Sequence, residues 1–420
     1  RLSSAISFLQ SALESSENVP EHITQAANLL TGIDEDLRTV PGIGMLVFDR
    51  SSALAIQGET LRANNALETI DKHLDHLSTD LEQLNSSLLR VRDSLWAIER
   101  DHLRTAEAII DLAGATPDTN SLPGLMSIQT ALSALDRLEV RGRDSAGIEI
   151  FVANHNLPSS VLEGSRFKDP ILRSGAIRDC GKHIAFIYKN AAEIGDLGDN
   201  SKAIRAAIRG DEVLQEALLS AESTVTVLGH TRWASVGVIS EANAHPVDSQ
   251  ETTNDDKPYV SAVLNGDIDN YMDLTELQKL DLAPEITTDA KIIPPLISRQ
   301  LTSTANDLEA FRATVSTFEG SMAIASHNAE QPHKLSLALR GSGQAIYVGI
   351  ADNSFVVASE PYGVIENASQ WIRMDGEKPA DPDNPISSAG QIIQRDATKA
   401  GDLEGITRVA YDGTELPVQQ

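Results

Sequence analysis

The sequence predicts an α+β protein, in which a helical region is followed by a layered domain with helices covering a pair of antiparallel sheets. Residues 1–113 carry apolar side chains every three or four positions, as amphipathic helices do. Residues 114–124 contain glycines and prolines that break this pattern. Short stretches with strand-like alternation follow. We therefore predict a helical subdomain at 1–120 and a mixed domain at 121–420.

A heptad seam lies in the helical region. Its apolar residues alternate in steps of three and four without Gly or Pro; they are Leu67, Ile70, Leu74, Leu77, Leu81, Leu84, Leu88, Val91, Leu95 and Ile98. One interpretation is a coiled coil that pairs protomers or recruits partners. The other is a long helical hairpin packed on its own chain. Amphipathic segments around Leu9 and Leu30 favour the hairpin, because they offer partners within the chain.

The mixed domain contains many strand candidates and fewer helical patterns. The strand candidates are 147–152, 183–188, 223–228, 259–264, 322–326, 334–339, 345–350 and 354–358, with a further strand pair around 405–411. The helical patterns are a segment through Leu132, Leu135 and Leu138, then 200–219, 289–299 and 308–317. These elements are typical of helices packed on antiparallel sheets.

Composition limits the function. The chain has 420 residues, enough for two or three domains. Its formal net charge of −27 argues against binding to nucleic acid or to an anionic membrane. No run approaches the ~18–20 apolar residues that span a bilayer. The one cysteine, Cys180, excludes an internal disulfide and any cysteine-based metal site, so we expect a reducing, cytoplasmic compartment.

Three short segments carry groups suited to binding and hydrolysing an amide. Asn265 and Gly266 follow a strand candidate, where a side-chain amide and a backbone NH could hold an oxyanion. Arg232 also follows a strand candidate and could grip a carboxylate. Asp289 begins a helical pattern and could bind an ammonium group. Their ordinary alternatives are a tight turn, a surface charge and a helix cap.

The order of these segments strengthens the functional interpretation. The segments are LEVRGRDSAG at 138–147, HTRWA at 230–234, NAHP at 243–246, NG at 265–266 and TD at 288–289, followed by FEGS at 318–321, LRGSG at 339–343 and VASE at 357–360. In this order they resemble the glutaminase domain of the glutamine-fructose-6-phosphate aminotransferase family. The resemblance covers about residues 125–365, more weakly the tail to about 415, and none of the first hundred.

The resemblance implies a four-layer αββα N-terminal-nucleophile hydrolase fold with a long helical insertion at its N-terminal side. In this family a cysteine thiol attacks the carboxamide of glutamine, the cysteine's own α-amine acts as base, and a γ-glutamyl thioester forms and is hydrolysed. The resemblance implies neither a cofactor nor a metal. The implied catalytic residues are Asn265 and Gly266, which form the oxyanion hole, and Arg141 beside it. The implied substrate-binding residues are Arg232, which binds the α-carboxylate, and Asp289, which binds the α-ammonium. They also include Trp233, which gates ammonia passage, and Ser235, which keeps the hydroxyl that the family has at this position.

The sequence departs from the family pattern in four ways. Val236 stands where the family has a histidine, and Ala290 with Lys291 replaces a Thr-Glu pair. The helical region before Arg141 is longer than the usual connection. The fourth departure is that no Cys-Gly-Ile start is present. Cys180 is a poor substitute, because an internal residue lacks a free α-amine. We therefore expect a fragment or processed product, whose cysteine lies on a short strand upstream.

The leading hypothesis is the glutaminase part of a glutamine-fructose-6-phosphate aminotransferase that makes glucosamine 6-phosphate. Its expected partners are L-glutamine, fructose 6-phosphate through a downstream sugar-isomerase half or subunit, and further copies of itself in a homo-oligomer. A second hypothesis is another class II amidotransferase, such as the purine-pathway phosphoribosyl enzyme. Trp233 favours the sugar enzyme, because the purine enzymes generally have a tyrosine there. A third is a cysteine-less protein that binds glutamine for regulation or as a scaffold.

Overall fold

The computed structural model describes residues 1–14, 18–73, 81–181, 183–191, 196–252, 257–304, 306–368, 370–377 and 390–418. The chain forms two compact units, Arg1–Leu122 and Pro123–Gln420. The first consists of helices, and the second of helices with three antiparallel sheets. Within the described ranges, no helix has both the length and the apolar character needed to cross a membrane.

The first unit consists of helices, as its periodicity predicts. They are α1 (Leu2–Glu14), α2 (Val19–Arg38), α3 (Val40–Phe48), α4 (Arg50–His73), α5 (Leu81–Trp96) and α6 (Arg104–Ala113), with a π-helical stretch at Ala97–Leu103 joining α5 to α6. The hydroxyl of Thr39 accepts a hydrogen bond from the Gly42 amide (3.2 Å) and so caps the start of α3. Gly114, with a φ of 74°, ends α6 in the left-handed conformation that glycine adopts without strain.

The heptad seam is divided between helices rather than continuous. Leu67 lies on α4, whereas the seam residues from 84 onward lie on α5 and the π-helical stretch. These helices run antiparallel, because Asn64 on α4 contacts Glu99 (3.4 Å) and Asp71 contacts Arg92 (2.5 Å). Leu74 and Leu77 fall outside the described residues, as does the side chain of Leu81. The seam side chains from 84 to 98 are buried, and α5 packs on α2 of the same unit. This packing favours the interpretation in which the seam is buried within its own chain.

Two hydroxyl pairs connect α2 with α5. The side-chain oxygens of Thr24 and Ser87 lie 2.9 Å apart, and those of Thr31 and Ser94 lie 3.4 Å apart. Because the partners advance together along both helices, the two helices run parallel. Each pair lies among apolar seam residues, where a polar contact specifies the register.

The second unit contains the remaining described helices and strands. Its helices are α7 (Leu122–Leu138), α8 (Asp199–Arg209), α9 (Glu212–Ala217), α10 (Tyr271–Gln278), α11 (Ile293–Leu301) and α12 (Asp307–Val315). Its strands are β1 (Ser145–Ala153), β2 (Ile177–Asp179), β3 (His183–Ala191), β4 (Thr224–Arg232), β5 (Val247–Asp248), β6 (Val260–Gly266), β7 (Met322–Asn328), β8 (Lys334–Arg340), β9 (Tyr347–Ala351), β10 (Ser354–Ala358), β11 (Gln370–Arg373), β12 (Gln391–Asp396) and β13 (Ile406–Ala410). The sheet orders are β2-β3-β1-β4, β13-β12-β8-β7-β6-β5 and β10-β9-β11.

The four-stranded and six-stranded sheets face each other. The ring centroid of Phe151 on β1 lies 4.3 Å from that of His327 on β7, and the hydroxyl of Tyr259, just before β6, donates to Glu149 on β1 (2.8 Å). On the outer sides, α8 packs on β1 and β3, whereas α11 packs on β6 and α12 on β8. The order helix, sheet, sheet, helix confirms the predicted α+β class and its four-layer αββα arrangement.

The three-stranded sheet packs against the same face of the six-stranded sheet as β4 does. Val348 of β9 and Ile372 of β11 share one apolar cluster with Leu228 of β4 and Leu337 of β8. The four-stranded and three-stranded sheets therefore lie in one layer, beside each other over the six-stranded sheet.

Buried charges fill part of the space between the two large sheets. Asp248 of β5 accepts hydrogen bonds from Arg178 of β2 and from Lys291, each at 2.9 Å, and the three side chains are at most 5% exposed. Lys291 also donates to the carbonyl oxygens of Asp248 and Gln250. The lysine that marks a sequence departure after Asp289 therefore anchors β5.

Two expectations about secondary structure differ from the structure. The helical pattern at 200–219 is two helices, because the carboxylate of Asp211 accepts from the amides of Val213 and Leu214 and starts α9 anew. Three strands and one helix were not anticipated, namely β2, β5, β11 and α10, whereas the strand pair expected around 405–411 is β12 with β13 and begins earlier, at Gln391. The first three are only two to four residues long and depend on neighbouring strands for their hydrogen bonds.

Candidate active site

A cavity of about 790 Å³ lies within the second unit. It is bounded by β4 and α7 on one side, by β10 on another, and by β6, β7 and β8 of the six-stranded sheet. The side chains or backbone that line it include all seven sequence-predicted site residues, namely Arg141, Arg232, Trp233, Ser235, Asn265, Gly266 and Asp289. The fold thus brings together residues that are up to 148 positions apart, from 141 to 289.

Arg232 is the last residue of β4 and is 4% exposed. Its guanidinium donates to the carbonyl oxygens of Val236 and of Val238, the second at 3.4 Å. Burial lowers the pKa of Arg232, although the carboxylates of Asp289 and Asp144 oppose this shift. A buried cation held by neutral carbonyls favours an incoming carboxylate, because the anion stabilises the charge that burial destabilises.

Asp289 begins the turn before α11 and is 4% exposed. Its Oδ2 accepts a hydrogen bond from the Ile268 amide (2.9 Å), and the Thr288 hydroxyl donates to its Oδ1 (3.3 Å). Burial raises the pKa of Asp289, and the nearby carboxylate of Asp267 raises it further. An ammonium group beside this carboxyl would shift the pKa back down, so the environment favours a cationic ligand.

Asn265 and Gly266 are the last two residues of β6 rather than a tight turn. They pair with Ala323 and Met322 of β7. Gly266 has a φ of 110°, and a Cβ atom there would lie 2.1 Å from the carbonyl oxygen of Ser321. Only glycine fits this backbone. The preceding Asn265 side chain is exposed and lines the cavity.

Arg141, Trp233 and Ser235 lie where the cavity meets solvent. Arg141 ends a short turn after α7 and forms an ion pair with Glu360, which follows β10. The Trp233 side chain is 76% exposed. The Ser235 hydroxyl donates to Asp267 (2.8 Å), so it contacts the carboxylate that also acts on Asp289.

Two histidines at the cavity received no role from sequence reasoning, although both lie in the quoted motifs. The ring centroids of His230 and His245 are 4.5 Å apart, and His245 Nε2 lies 3.2 Å from the Thr288 hydroxyl. Burial, together with the Arg232 cation, lowers the pKa of His230 to about 4. Burial also lowers the pKa of His245 well below its ordinary value, so both imidazoles are neutral at pH 7.

A third residue that sequence reasoning missed is Asn243, which is completely buried. Its amide joins two segments at the cavity through four hydrogen bonds. The available signal was its place in the NAHP segment, two residues before His245.

Cys180 lies elsewhere in the second unit, beside a cavity of about 620 Å³ that Arg178 and Tyr259 also line. Burial raises the pKa of its thiol, and the carboxylates of Glu149 and Asp179 add to this effect. The thiolate needed for nucleophilic attack is therefore disfavoured. Among the described residues, no group of three or more His, Cys, Asp or Glu side chains is placed to hold a metal ion.

The arrangement at the larger cavity suits a zwitterionic ligand that carries an amide. A buried guanidinium faces it at the end of β4, a buried carboxyl lies in the turn before α11, and an exposed side-chain amide ends β6. Such a set can bind an α-carboxylate, an α-ammonium and a developing oxyanion, respectively.

Comparison with known sequences finds no matching family model. The glutamine–fructose-6-phosphate aminotransferase (isomerizing) of Bacillus cereus is 30% identical over 247 residues, which cover 58% of this chain and 32% of that protein. The protein of the same name from Idiomarina loihiensis is 27% identical over 274 residues, which cover 64% of this chain and 36% of that protein. The chain thus spans about a third of the length of these relatives.

Two solved structures also match, both at 16% identity and over 67% of this chain and 46% of theirs. One is the allosteric regulatory enzyme of purine biosynthesis, with a TM-score of 0.43. The other is the glutamine phosphoribosylpyrophosphate amidotransferase of B. subtilis, with a TM-score of 0.41. The sequence matches to the aminotransferases agree with the ordered motifs from 138 to 360. These sequence matches support a class II glutamine amidotransferase domain in this chain, as its motifs predict.

Proposed function

We propose that this chain is the glutaminase part of a glutamine-fructose-6-phosphate aminotransferase, and that it acts in the cytoplasm. The observation that carries the proposal is that Arg232, Asp289 and Asn265 line one cavity, with the two charged groups buried and the amide exposed. L-Glutamine has the matching groups, since it carries a carboxylate and an ammonium at one end and a carboxamide at the other.

Each residue has a proposed role that follows from its environment. Arg232 binds the α-carboxylate, which replaces the carbonyl oxygens of Val236 and Val238 as the hydrogen-bond partner of its guanidinium. Asp289 binds the α-ammonium, which stabilises its ionised form. Asn265 and the NH of Gly266 hold the oxyanion as charge develops on the carboxamide oxygen. Arg141 lies at the rim, where its ion pair with Glu360 positions a cation near the reacting group.

The proposed mechanism needs a thiol nucleophile beside Asn265, and none of the described residues that line the cavity supplies one. The cavity lies beside two outermost strands, β4 of the four-stranded sheet and β10 of the three-stranded sheet. On one side β4 pairs with β1 and β10 pairs with β9, and the described residues supply no strand that pairs with the other side of either. Open edges of this kind present rows of backbone donors and acceptors to an added strand. We propose that an extended segment carrying an N-terminal cysteine pairs here, with its thiol near Asn265.

In the proposed reaction the thiolate attacks the carboxamide carbon, and Asn265 and Gly266 hold the resulting oxyanion. The bond to nitrogen then breaks with transfer of a proton from the cysteine's α-ammonium, which releases ammonia and leaves a γ-glutamyl thioester. Water hydrolyses the thioester to glutamate. Trp233, exposed at the rim, lies where ammonia would leave toward a sugar-isomerase part that converts fructose 6-phosphate to glucosamine 6-phosphate.

Two alternatives remain open to experiment. Another class II amidotransferase would release ammonia from glutamine but would not form glucosamine 6-phosphate. A cysteine-less regulatory protein would bind glutamine and release no ammonia. Both alternatives use Arg232 and Asp289 for the same ligand groups, so the reaction products distinguish the hypotheses, whereas glutamine binding does not.

The first test is glutamine hydrolysis and glucosamine 6-phosphate formation by the protein with its native N-terminus and any following domain. We expect Arg232→Ala to raise the KM for glutamine by about 10- to 150-fold, because a lost charged partner costs about 1.5–3 kcal/mol. The exposed Arg209 on α8 provides a matched control, and its alanine variant should behave as wild type. Unchanged KM in Arg232→Ala would remove this residue from the site.

A further inference from the structure

The Asn243 side chain uses every hydrogen-bonding position that an amide has. Its Oδ1 accepts from the backbone amides of Thr287 (2.7 Å) and Thr288 (3.0 Å). Its Nδ2 donates to the carbonyl oxygen of Val238 (3.0 Å) and to the Thr287 hydroxyl (3.0 Å). An amide offers two acceptor and two donor positions, so this buried group is fully satisfied.

The two segments that Asn243 joins carry the two charged groups of the proposed site. On one side lies the loop at 236–238, whose carbonyl oxygens at Val236 and Val238 hold the Arg232 guanidinium. On the other side lies the turn at 287–289, which ends in Asp289. One side chain therefore links the supports of the cation and of the carboxyl.

Close backbone packing reinforces this link. Gly237 has a φ of 83°, and a Cβ atom there would lie 2.8 Å from the Thr287 hydroxyl and 3.1 Å from the Thr288 nitrogen. The loop therefore lies directly on the turn. Beyond it, the Thr288 hydroxyl contacts both Asp289 (3.3 Å) and His245 (3.2 Å), so displacement of the turn moves Asp289 as well.

We infer that Asn243 is a positioning residue that fixes the separation of Arg232 from Asp289 and thereby selects ligands carrying both an α-carboxylate and an α-ammonium. This inference rests on the proposed function, because it assigns those ligand groups to the two residues. Asn243 itself touches no ligand in this scheme. It acts by holding Asp289 where an ammonium can reach it while Arg232 binds the carboxylate.

The nearly isosteric variant Asn243→Asp separates the two halves of the link. It keeps an acceptor for the Thr287 and Thr288 amides, but it places an oxygen against the carbonyl oxygen of Val238, where no hydrogen bond forms. Asn243→Ala removes both halves. The control is Asn270→Asp, because the Asn270 side chain also holds a neighbouring turn, through the Thr317 carbonyl oxygen (2.9 Å) and the Glu319 amide (3.0 Å), without lining the cavity.

The experiment compares the affinity of each variant, with its native N-terminus, for L-glutamine and for 4-carbamoylbutanoate, which lacks the ammonium. We expect both Asn243 variants to weaken glutamine binding by about 10-fold, with less than about threefold change for 4-carbamoylbutanoate. The preference for the ammonium-bearing ligand therefore falls, whereas Asn270→Asp keeps it. Equal weakening for both ligands would mean a general loss of structure and would overturn the inference.

Amide hydrogen exchange provides a readout that does not depend on glutamine. Exchange at Thr287 and Thr288 should accelerate in Asn243→Ala and remain slow in Asn243→Asp, which keeps their acceptor. Wild-type protein that binds no glutamine would refute the proposed function, and with it the assigned ligand groups. Unchanged exchange in Asn243→Ala would overturn the link itself, whatever the protein binds.

Discussion

The buried ion network at Asp248 provides the strongest test of how the two large sheets are held together. Burial alone would raise the pKa of Asp248, but the cations of Lys291 and Arg178 outweigh burial and hold its pKa at about 2. The variant Asp248→Asn removes the one carboxylate that both cations contact at 2.9 Å. Breaking a buried pair by removing one partner costs about 3–5 kcal/mol, and two cations lose their partner here.

We therefore expect Asp248→Asn to lower the free energy of unfolding by about 3–5 kcal/mol at pH 7. Urea denaturation followed by circular dichroism measures this difference. The folded pKa of Asp248 lies below the ordinary value of 3.8, so the carboxylate's stabilisation is present above pH 4 and is lost as the pH falls toward 2. The difference between wild type and variant should shrink over that range.

Two further variants test whether the effect belongs to this network. Asp412→Asn, at an exposed position, should change stability by no more than about 1 kcal/mol. The double variant Asp248→Asn with Lys291→Met should lose less stability than the two single variants added together, because the second change removes one of the stranded cations. A loss below about 1 kcal/mol in Asp248→Asn would refute the argument that this carboxylate offsets two buried charges.

Two other predictions concern β1 and β3 of the four-stranded sheet. At Gly147 of β1 a Cβ atom would lie 2.2 Å from the carbonyl oxygen of His245. Gly147→Ala should therefore lower the free energy of unfolding by about 1–3 kcal/mol or more, as measured by urea denaturation. A variant as stable as the wild type would contradict this close approach. Burial lowers the pKa of Lys189 from 10.5 to about 7 in the folded protein. Between pH 7 and 10.5 the unfolded chain therefore binds more protons than the folded protein does. The free energy of unfolding of the wild type should rise over this range by up to about 1.4 kcal/mol per pH unit. Lys189→Met should lack this rise in urea denaturation at pH 7 and pH 9.5, and an equal rise in both proteins would exclude Lys189 as its source.

Sequence reasoning identified the fold class because strand alternation and helical periodicity are local signals. Most strand candidates, such as those at 334–339 and 354–358, closely match β8 and β10. The short strands β2 and β5 could not be seen, because two or three residues carry no periodicity and their pairing depends on distant neighbours. The division of the heptad seam was missed for a related reason, since a regular apolar pattern does not reveal where a helix ends.

The candidate site was predictable where a motif carried groups suited to the chemistry. Arg232, Asn265 and Asp289 were identified from side chains suited to charge and oxyanion binding, and the fold places them on one cavity. Asn243 and His245 were missed, because their importance arises from partners 44 and 43 positions away at the Thr287–Thr288 turn. The contact of Lys291 with Asp248 was missed for the same reason, because Asp248 lies 43 positions away in the sequence. From the sequence alone, Lys291 indicates only a reversed charge close to Asp289.

The paired hydroxyls of α2 and α5 limit how this region can change length. Thr24 and Thr31 are seven residues apart, as are Ser87 and Ser94, so both contacts repeat with the heptad. An insertion or deletion within either helix between its two hydroxyl residues would preserve both contacts and the apolar stripe only if it were made in steps of about seven residues and matched in the partner helix. Connections outside these helices carry no such constraint, so length variation should concentrate there and leave the interval between the two hydroxyl pairs constant.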